Sequence, residues 1–265
     1  MTVRAGVAGQ PVAHSLSPLI HRAWIAAAGL DADYIAFGPA DAAGFAALVA
    51  EGRAGRLRGL NVTAPFKEQA LALADEAGET ARTCGSANLL LFESGQVTAD
   101  STDGEGLTTA LAQQAPTLDV RGRPVVGLGA GVASRAAVVS LKAVGAEVGV
   151  LNRTRARAEG LAADLGATAV EPGALDHGVL IVNALSVPPD VDVSRLRGDA
   201  VLMDMTYRPL KTAFLAAGQA RGLTTVDGLA MLIGQARPSF QALFGQKPPD
   251  IDVRTPALAA LGETP

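Results

Sequence analysis

Short apolar runs alternate with longer alanine- and leucine-rich segments along most of this chain. The short runs have the length and composition of buried β-strands, whereas the longer segments have the spacing of helices that bury one face. This alternation is typical of parallel strands joined by helices, so the pattern predicts an α/β fold.

In the first part of the chain the pattern predicts one sheet with helices around it. The predicted strands, and the hairpin that follows them, cover 3–8, 34–37, 58–62 and 87–98. The predicted helices cover 17–29, 41–51 and 66–77. Start and stop signals frame the first helix, because Ser17 is a good N-cap, Pro18 suits the first helical position and Gly29 ends the run.

The second part of the chain repeats the alternation and predicts a doubly wound sheet. After a helix over 103–114, the predicted strands cover 124–128, 147–151, 168–170, 179–183, 200–204 and 224–226. A last helical segment, 228–243, has no strand to lead into and is expected to return to the first domain. We therefore predict two α/β domains: 1–103 completed by C-terminal helices within 228–265, and a Rossmann-type domain over 104–227.

Composition narrows the class of partner. The 265 residues carry a net charge of −4 with 18% charged residues, so neither a nucleic acid nor an anionic membrane is favoured as a partner. Cys84 is the only cysteine, which excludes an internal disulfide and fits a reducing cytoplasm. No signal peptide or membrane span is apparent. The three histidines are too scattered to indicate a metal site, so small-molecule chemistry is expected.

A glycine-rich turn lies between a predicted strand and a predicted helix at 125–134. Glycines here let the backbone approach a pyrophosphate, and the helix that follows directs its free amides and positive end at the anion. This context favours a dinucleotide site over the alternative, a tight turn made for packing alone. Its expected residues are Gly129, Ala130, Gly131, Val132 and Ala133.

The end of the next predicted strand indicates which dinucleotide is bound. An acid that would bind the ribose hydroxyls of NAD is absent, and in its place stand Asn152, Arg153, Thr154 and Arg157. Guanidinium groups suit an adenosine 2′-phosphate, so NADP(H) is expected. The alternative is that these arginines form a solvated cap on the following helix, and Arg157 could also pair with Asp164 or Glu159.

The segment 61–67 contains hydrogen-bonding side chains and one amine on either side of a proline, an arrangement suited to binding a polyol. Thr63 is the expected N-cap of the helix that follows, with Pro65 in its first turn and Lys67 close to its positive end. The alternative is a solvated helix lysine that pairs with one of two acids, Glu68 or Asp75.

Together these motifs resemble the shikimate dehydrogenase family over nearly the whole chain. Besides the segment 61–67 and the glycine-rich turn, the resemblance rests on 14–18, 87–88, 102–104, 152–154, 204–209 and 228–235. It implies NADPH-dependent, reversible reduction of 3-dehydroshikimate to shikimate, a step toward chorismate and the aromatic amino acids. A homodimer is left open as the oligomeric state.

The resemblance also implies roles for individual residues. Ser15 and Ser17, with Tyr207 nearby, would hold the substrate carboxylate. The ring hydroxyls would contact Asn61, Thr63, Asn88, Asp103 and Gln235. Lys67 would be the general acid/base, paired with Asp103. Met205 and Gly228 would complete the cofactor site.

Each role has a structural alternative. Asp103 could be the N-cap of a helix that begins near Gly104, and the two serines could shape their loop and cap a helix. Tyr207 could be a packed aromatic, and Gln235 an exposed helical amide. Two other functions remain open: a quinate/shikimate dehydrogenase that uses NAD, and a non-catalytic regulator that binds NADP or a metabolite.

Some positions depart from the family's usual pattern. Val132 stands where a glycine is usual, and Leu185 stands where a threonine is usual. Both border the expected nucleotide site.

Overall fold

The computed structural model describes residues 2–263, and within them the chain forms two compact units. The first unit contains the described residues up to Thr102 together with those from Gln235 onward, and the second is Asp103–Gly234. The predicted first domain also included residues 1, 264 and 265, which lie outside the described residues. That the two units act as a substrate domain and a nucleotide domain stays a prediction.

The strands of the described residues are β1 (Val3–Ala8), β2 (Ala32–Phe37), β3 (Gly59–Val62), β4 (Glu76–Ala77), β5 (Leu89–Glu93), β6 (Gln96–Asp100), β7 (Pro124–Leu128), β8 (Glu147–Leu151), β9 (Thr168–Ala169), β10 (Leu180–Asn183), β11 (Val201–Asp204) and β12 (Thr224–Val226). The α-helices are α1 (Ser17–Ala27), α2 (Ala42–Arg53), α3 (Lys67–Ala72), α4 (Glu79–Cys84), α5 (Asp103–Gln114), α6 (Val132–Ala143), α7 (Arg155–Leu165), α8 (Ala213–Ala220), α9 (Gly228–Phe244) and α10 (Arg254–Leu261). Two short 3₁₀ helices cover Pro172–His177 and Val193–Arg195.

Each unit is built on one six-stranded sheet. The first sheet has the order β2-β1-β3-β5-β6-β4 and is mixed, because β5 runs antiparallel to both β3 and β6. The second sheet has the order β12-β11-β10-β7-β8-β9, and all of its neighbouring strands are parallel. Counted from β7 within the unit, this is the 3-2-1-4-5-6 order of a doubly wound Rossmann sheet. The predicted α/β fold class is confirmed.

The second sheet is buried on both faces. Alternate residues of its strands enter two different clusters: Val125 and Leu180 pack on one face, and Val126 and Ile181 on the other. Because both faces exclude water, the strands read as continuous apolar runs rather than as an alternation. That explains why their positions are visible in the sequence.

One predicted helix is only partly correct. The helix expected over 66–77 ends at Ala72, and β4 and α4 follow it. The cause is Asp75, whose carboxylate accepts hydrogen bonds from the Arg53 guanidinium at 2.6 and 3.0 Å and from the Val97 amide at 2.7 Å. These bonds hold the chain at the sheet edge, so the helix does not continue.

Two predicted N-caps are wrong. Ser17 is the first residue of α1, and the residue before it, Leu16, is the cap, without a side-chain bond. The Ser17 amide instead donates to the Ser15 hydroxyl at 3.3 Å. Thr63 does not cap α3, since Phe66 precedes that helix.

None of the described helices is long and apolar enough to cross a membrane. Within residues 2–263 we also find no group of three or more His, Cys, Asp or Glu side chains able to hold a metal ion.

Candidate active site

The loop between β1 and α1 presents two serines. Ser15 is half-buried and Ser17 is 7% exposed. The Ser15 amide donates to the Val12 carbonyl at 3.0 Å, and the Ser15 hydroxyl accepts from the Ser17 amide. These bonds order the turn that carries both serines, and serine hydroxyl groups are able to donate to a carboxylate.

Asn61, near the end of β3, is held on three sides by the first unit. Its Nδ2 donates to the Asn88 carbonyl at 3.2 Å and to the Ser239 hydroxyl at 2.9 Å. Its Oδ1 accepts from the Tyr34 hydroxyl at 2.8 Å. Burial raises the pKa of Tyr34 well above its usual value, so the phenol stays protonated and keeps donating.

Asn88, which is 3% exposed, lies next to Asn61 in the same network. Its Oδ1 accepts from the Thr102 amide at 2.8 Å, and its Nδ2 donates to the Thr102 hydroxyl at 3.0 Å. The same Nδ2 donates to Oε1 of Gln235 on α9 at 2.9 Å. The structure therefore brings Asn61, Asn88 and Gln235, three predicted substrate residues, into one hydrogen-bonded cluster.

Three members of this cluster were not predicted as site residues: Tyr34, Thr102 and Ser239. Ser239 is fully buried, and its hydroxyl lies 2.9 Å from Asn61 Nδ2, 3.2 Å from the Thr102 hydroxyl and 3.1 Å from the Gln235 carbonyl. A sequence signal for it existed, because Ser239 follows Gln235 by four residues and so shares its helix face. No local signal pairs Tyr34 with Asn61.

His21 contacts this cluster through its ring, which packs on Tyr34. Its ring stacks on that of Tyr34 with centroids 4.0 Å apart and planes 3° apart. It is 1% exposed, and its Nδ1 has no hydrogen-bond partner among the described residues. Burial lowers the pKa of His21 from 6.5 to about 3, so the ring is neutral near pH 7.

Lys67 is the first residue of α3 and is half-buried. Its carbonyl accepts from the Ala87 amide at 2.9 Å, which ties the start of the helix to the segment that carries Asn88. Asp75, one of the two acids considered as its surface partner, is bound by Arg53 instead. Thr63 precedes Lys67 in the turn and is half-buried.

Asp103 and Tyr207 belong to the second unit. Asp103 is 4% exposed and is itself the first residue of α5, so the helix begins one residue earlier than the N-cap alternative required. Tyr207 is half-buried in the loop after β11.

The glycine-rich turn follows β7, as the sequence predicts. Gly129 has a φ of +108°, a left-handed backbone that favours glycine, and a Cβ there would lie 3.0 Å from both Leu185 Cδ2 and Ser134 Oγ. Gly131 caps α6, and no heavy atom lies within 4 Å of its Cβ position. Ser134 is 2% exposed, and its hydroxyl has no hydrogen-bond partner in the described part of the chain. The turn thus leaves room and unpaired donors at a helix N-terminus, which suits an anion.

The arginines after β8 are not equivalent. Arg155 donates to Glu159 at 2.8 Å and also pairs with Glu171. Asp164, the other acid considered for Arg157, pairs with Arg135 at 2.9 Å.

Arg153 and Arg157 are exposed and have no acidic partner among residues 2–263. Next to them, Asn152 Nδ2 donates to the Thr154 carbonyl at 2.9 Å, which closes the loop before α7. Both guanidinium groups therefore remain available for a phosphate.

The ends of β10 and β11 are joined by a buried polar pair. Asn183 Nδ2 donates to Asp204 Oδ2 at 3.1 Å, and the other carboxylate oxygen accepts from the Thr206 amide at 3.0 Å. This fixes the turn that contains Met205. Gly228 packs directly on that turn, since a Cβ there would lie 2.5 Å from the Thr206 carbonyl oxygen and 2.7 Å from that of Met205.

Hydrogen bonds from Gln114 on α5 hold Asp227, the residue just before α9. Gln114 Nε2 donates to Asp227 Oδ2 at 2.8 Å, and its Oε1 accepts from the Asp227 amide at 2.9 Å. The other carboxylate oxygen of Asp227 accepts from the Ala230 amide at 2.9 Å and so acts as a cap. The start of α9 is therefore fixed next to the turn that contains Met205, and the two predicted cofactor residues Met205 and Gly228 are adjacent.

Known proteins match this chain over nearly its full length. The family model of the shikimate dehydrogenase substrate binding domain matches residues 7–90. A shikimate dehydrogenase (NADP(+)) from Caulobacter vibrioides (strain NA1000 / CB15N) is 52% identical over 273 residues, which cover 97% of this chain and 95% of the relative.

Two solved structures of shikimate 5-dehydrogenase from Thermus thermophilus share the fold. The complex with NADP(H) and shikimate has a TM-score of 0.88 at 33% identity and covers 98% of this chain and 97% of its own. The complex with shikimate has a TM-score of 0.91 at 35% identity and covers 98% and 100%. The full-length identity and the shared fold together show that this chain belongs to the shikimate dehydrogenase family.

Proposed function

We propose that this chain catalyses the reversible, NADP-dependent reduction of 3-dehydroshikimate to shikimate. The observation that carries the proposal is the hydrogen-bonded cluster of Asn61, Asn88 and Gln235 in a chain that matches an NADP(+) shikimate dehydrogenase over 97% of its length. Such a cluster suits a polyhydroxylated ligand, because a buried amide left without its hydroxyl partner would disfavour an analogue that lacks it.

The substrate carboxylate is assigned to Ser15, Ser17 and Tyr207. Hydroxyl groups satisfy a carboxylate by donating to its oxygens, and the Ser15 hydroxyl, which accepts from the Ser17 amide, still has its own proton to donate. The ring hydroxyls are assigned to the amide cluster, with Thr63 and Asp103 as further contacts.

Lys67 is the proposed general acid in the direction of reduction. As hydride reaches the carbonyl carbon, negative charge develops on the carbonyl oxygen, and the Lys67 ammonium donates a proton to that oxygen. In the reverse direction the same amine accepts the hydroxyl proton. Asp103 is assigned to orient Lys67 and the reacting hydroxyl.

The second unit supplies the fit for NADP(H). Gly129 and Gly131 allow close backbone approach, and the first amides of α6 face an anion. Arg153 and Arg157 are exposed and not paired with any described acid, which suits a 2′-phosphate. Met205 and Gly228 are assigned to the nicotinamide end. The bound cofactor supplies the hydride.

Steady-state assays with shikimate and quinate, each against NADP⁺ and NAD⁺, test the proposal. We expect the highest kcat/KM with shikimate and NADP⁺. Preference for quinate with NAD⁺ would instead support the rival quinate/shikimate dehydrogenase, and no turnover with any pair would support a non-catalytic binding protein.

The Lys67→Ala variant tests the proton donor. Loss of a general acid and of its charge typically lowers turnover by about 10²–10⁴-fold, so we expect kcat to fall by that order. The Glu68→Ala variant is the matched control, because Glu68 is next to Lys67 in the sequence and its carboxylate has no assigned role. The kcat of this variant should stay near wild type. Unchanged kcat in Lys67→Ala would remove Lys67 from the mechanism.

A further inference from the structure

Gly9, the residue after the one that ends β1, lies opposite Thr63, which directly follows β3. The Thr63 amide donates to the Ala8 carbonyl at 2.9 Å. One residue further along each segment, the Gln10 amide donates to the Ala64 carbonyl at 3.0 Å. These two bonds continue the pairing of β1 with β3 beyond the strands, so the backbones of Gly9 and Thr63 are held at a fixed distance.

The absence of a side chain at Gly9 makes room for the methyl group of Thr63. A Cβ at Gly9 would overlap Thr63 Cγ2, whereas the next nearest atoms, the Ala64 carbonyl oxygen and Thr63 Cβ, would be 3.2 and 3.6 Å away. The methyl group therefore points at Gly9. Gly9 is buried, and its φ lies outside the left-handed region, so its backbone alone does not require glycine.

This contact also fixes the hydroxyl group of Thr63. The hydroxyl, the methyl group and the hydrogen on Cβ occupy three staggered positions about the Cα–Cβ bond. With the methyl group toward Gly9, the chirality of Cβ leaves one position for the hydroxyl. There it has no hydrogen-bond partner among residues 2–263, and the side chain is half-buried. The hydroxyl is therefore available to a ligand.

The same chirality determines what a side chain at position 9 would do. A hydroxyl turned toward it would overlap it much as the methyl group does, so only the hydrogen on Thr63 Cβ fits there. The order of the three groups around the bond is fixed. Rotation of the hydrogen toward position 9 therefore brings the methyl group to the place that the hydroxyl has left.

We propose that Gly9 is a positioning residue, which holds Thr63 in the rotamer that presents its hydroxyl to the substrate. Gly9 touches no ligand and acts through the methyl group of Thr63 alone. This inference rests on the proposed function, which assigns Thr63 to a ring hydroxyl of shikimate.

The Gly9→Ala and Thr63→Val variants test the rotamer. Valine carries a methyl group in the place of the hydroxyl, and alanine at position 9 should bring the Thr63 methyl group to that same place. We measure kcat/KM for shikimate at saturating NADP⁺. Both variants should lose about 10- to 100-fold, the usual effect of removing one partner of a buried hydrogen bond. The loss should lie mainly in KM for shikimate, while KM for NADP⁺ stays at the wild-type value.

The Thr63→Ser background separates this role from a general disturbance of the turn. Serine keeps the hydroxyl and has no methyl group, so alanine at position 9 fits without moving the hydroxyl. Relative to the Thr63→Ser variant, whatever its own activity, added Gly9→Ala should lower kcat/KM by less than about threefold. A loss as large as that of Gly9→Ala alone would overturn the inference, because Gly9 would then act through the backbone.

Wild-type kcat/KM in Gly9→Ala or in Thr63→Val would overturn the inference alone. Wild-type protein that does not oxidise shikimate would overturn the proposed function and this inference together. If Gly9→Ala does not fold, the double variant with Thr63→Ser decides. Folding with the kcat/KM of Thr63→Ser supports the inference, and a double variant that also fails to fold, or folds with a large further loss, overturns it.

Discussion

At the scale of single residues, the space around two glycines distinguishes packing from ligand binding. Gly228 lies against the backbone of Met205 and Thr206, with 2.5 to 2.7 Å between its Cβ position and their atoms. Gly131 has open space within 4 Å and an extended backbone, with φ −100° and ψ −173°, that any residue can adopt. Only the first of these glycines is required by the protein itself.

Gly228→Ala and Gly131→Ala should therefore behave differently. We expect Gly228→Ala to lower the free energy of unfolding by about 1–3 kcal/mol, because rigid backbone atoms must shift. Gly131→Ala should change it by less than about 0.5 kcal/mol while it weakens NADP⁺ binding, since the new methyl group occupies the proposed pyrophosphate site. Urea unfolding and titration calorimetry measure the two quantities, and unchanged NADP⁺ affinity in Gly131→Ala would argue against that site.

At the scale of the element, the arginines near the N-terminus of α7 differ in whether they pair with an acid. Arg155 is bound by two acids, whereas Arg153 and Arg157 face no described acid. The pairing considered from sequence, Arg157 with Glu159 or Asp164, is wrong because those acids bond Arg155 and Arg135. Helix spacing favours Glu159 with Arg155, four residues away, over Arg157, two residues away, whereas the pair of Asp164 with Arg135 joins two helices and cannot be predicted from spacing.

Arg157→Ala should lower kcat/KM with NADPH and leave the value with NADH nearly unchanged. A charge-assisted bond to a phosphate contributes about 1.5–3 kcal/mol, which corresponds to roughly 10- to 150-fold. Arg155→Ala is the matched control and should change neither value by much. Equal losses with NADPH and NADH in Arg157→Ala would mean that the residue does not contact the 2′-phosphate.

At the scale of the whole molecule, a buried neutral histidine makes stability depend on pH. The pKa of His21 is about 3 in the folded protein and 6.5 when unperturbed, because burial disfavours its charged form. Between these values the unfolded chain binds a proton that the folded chain does not, so stability falls as pH decreases from 6.5 toward 3. The fall from this group amounts to about 1.4 kcal/mol per pH unit.

His21→Phe should remove that dependence while it keeps a flat ring on Tyr34. As pH decreases from about 6 to 4, we expect the free energy of unfolding of the variant to fall by about 1.4 kcal/mol per pH unit less than that of wild type. Fluorescence of Trp24, the only tryptophan, follows unfolding of the unit that contains His21, since the two rings are 5.7 Å apart. Parallel pH profiles of the two proteins would show that His21 is not the titrating group.

The accuracy of the sequence predictions differs between the two units for a physical reason. In the second unit every predicted strand from 124 to 226 is present, and the central strands β10 and β11 are easiest to predict because they are buried along their whole length and largely apolar. In the first unit the helix expected over 66–77 is interrupted, because Asp75 bonds Arg53 and Val97 from distant parts of the chain. Helix propensity depends on neighbouring residues alone, so it cannot predict hydrogen bonds to distant parts of the chain.

Apolar periodicity and the order of motifs along the chain were enough to predict the α/β class, the family and the residue types of the candidate site. How those residues pair with one another became visible in the folded chain alone. The tertiary structure joined Tyr34, Thr102 and Ser239 to Asn61 and Asn88, left Arg157 unpaired with any described acid, and oriented the amide of Gln235. Hydrogen-bond polarity depends on which groups meet across distant segments, and one-dimensional spacing does not specify that.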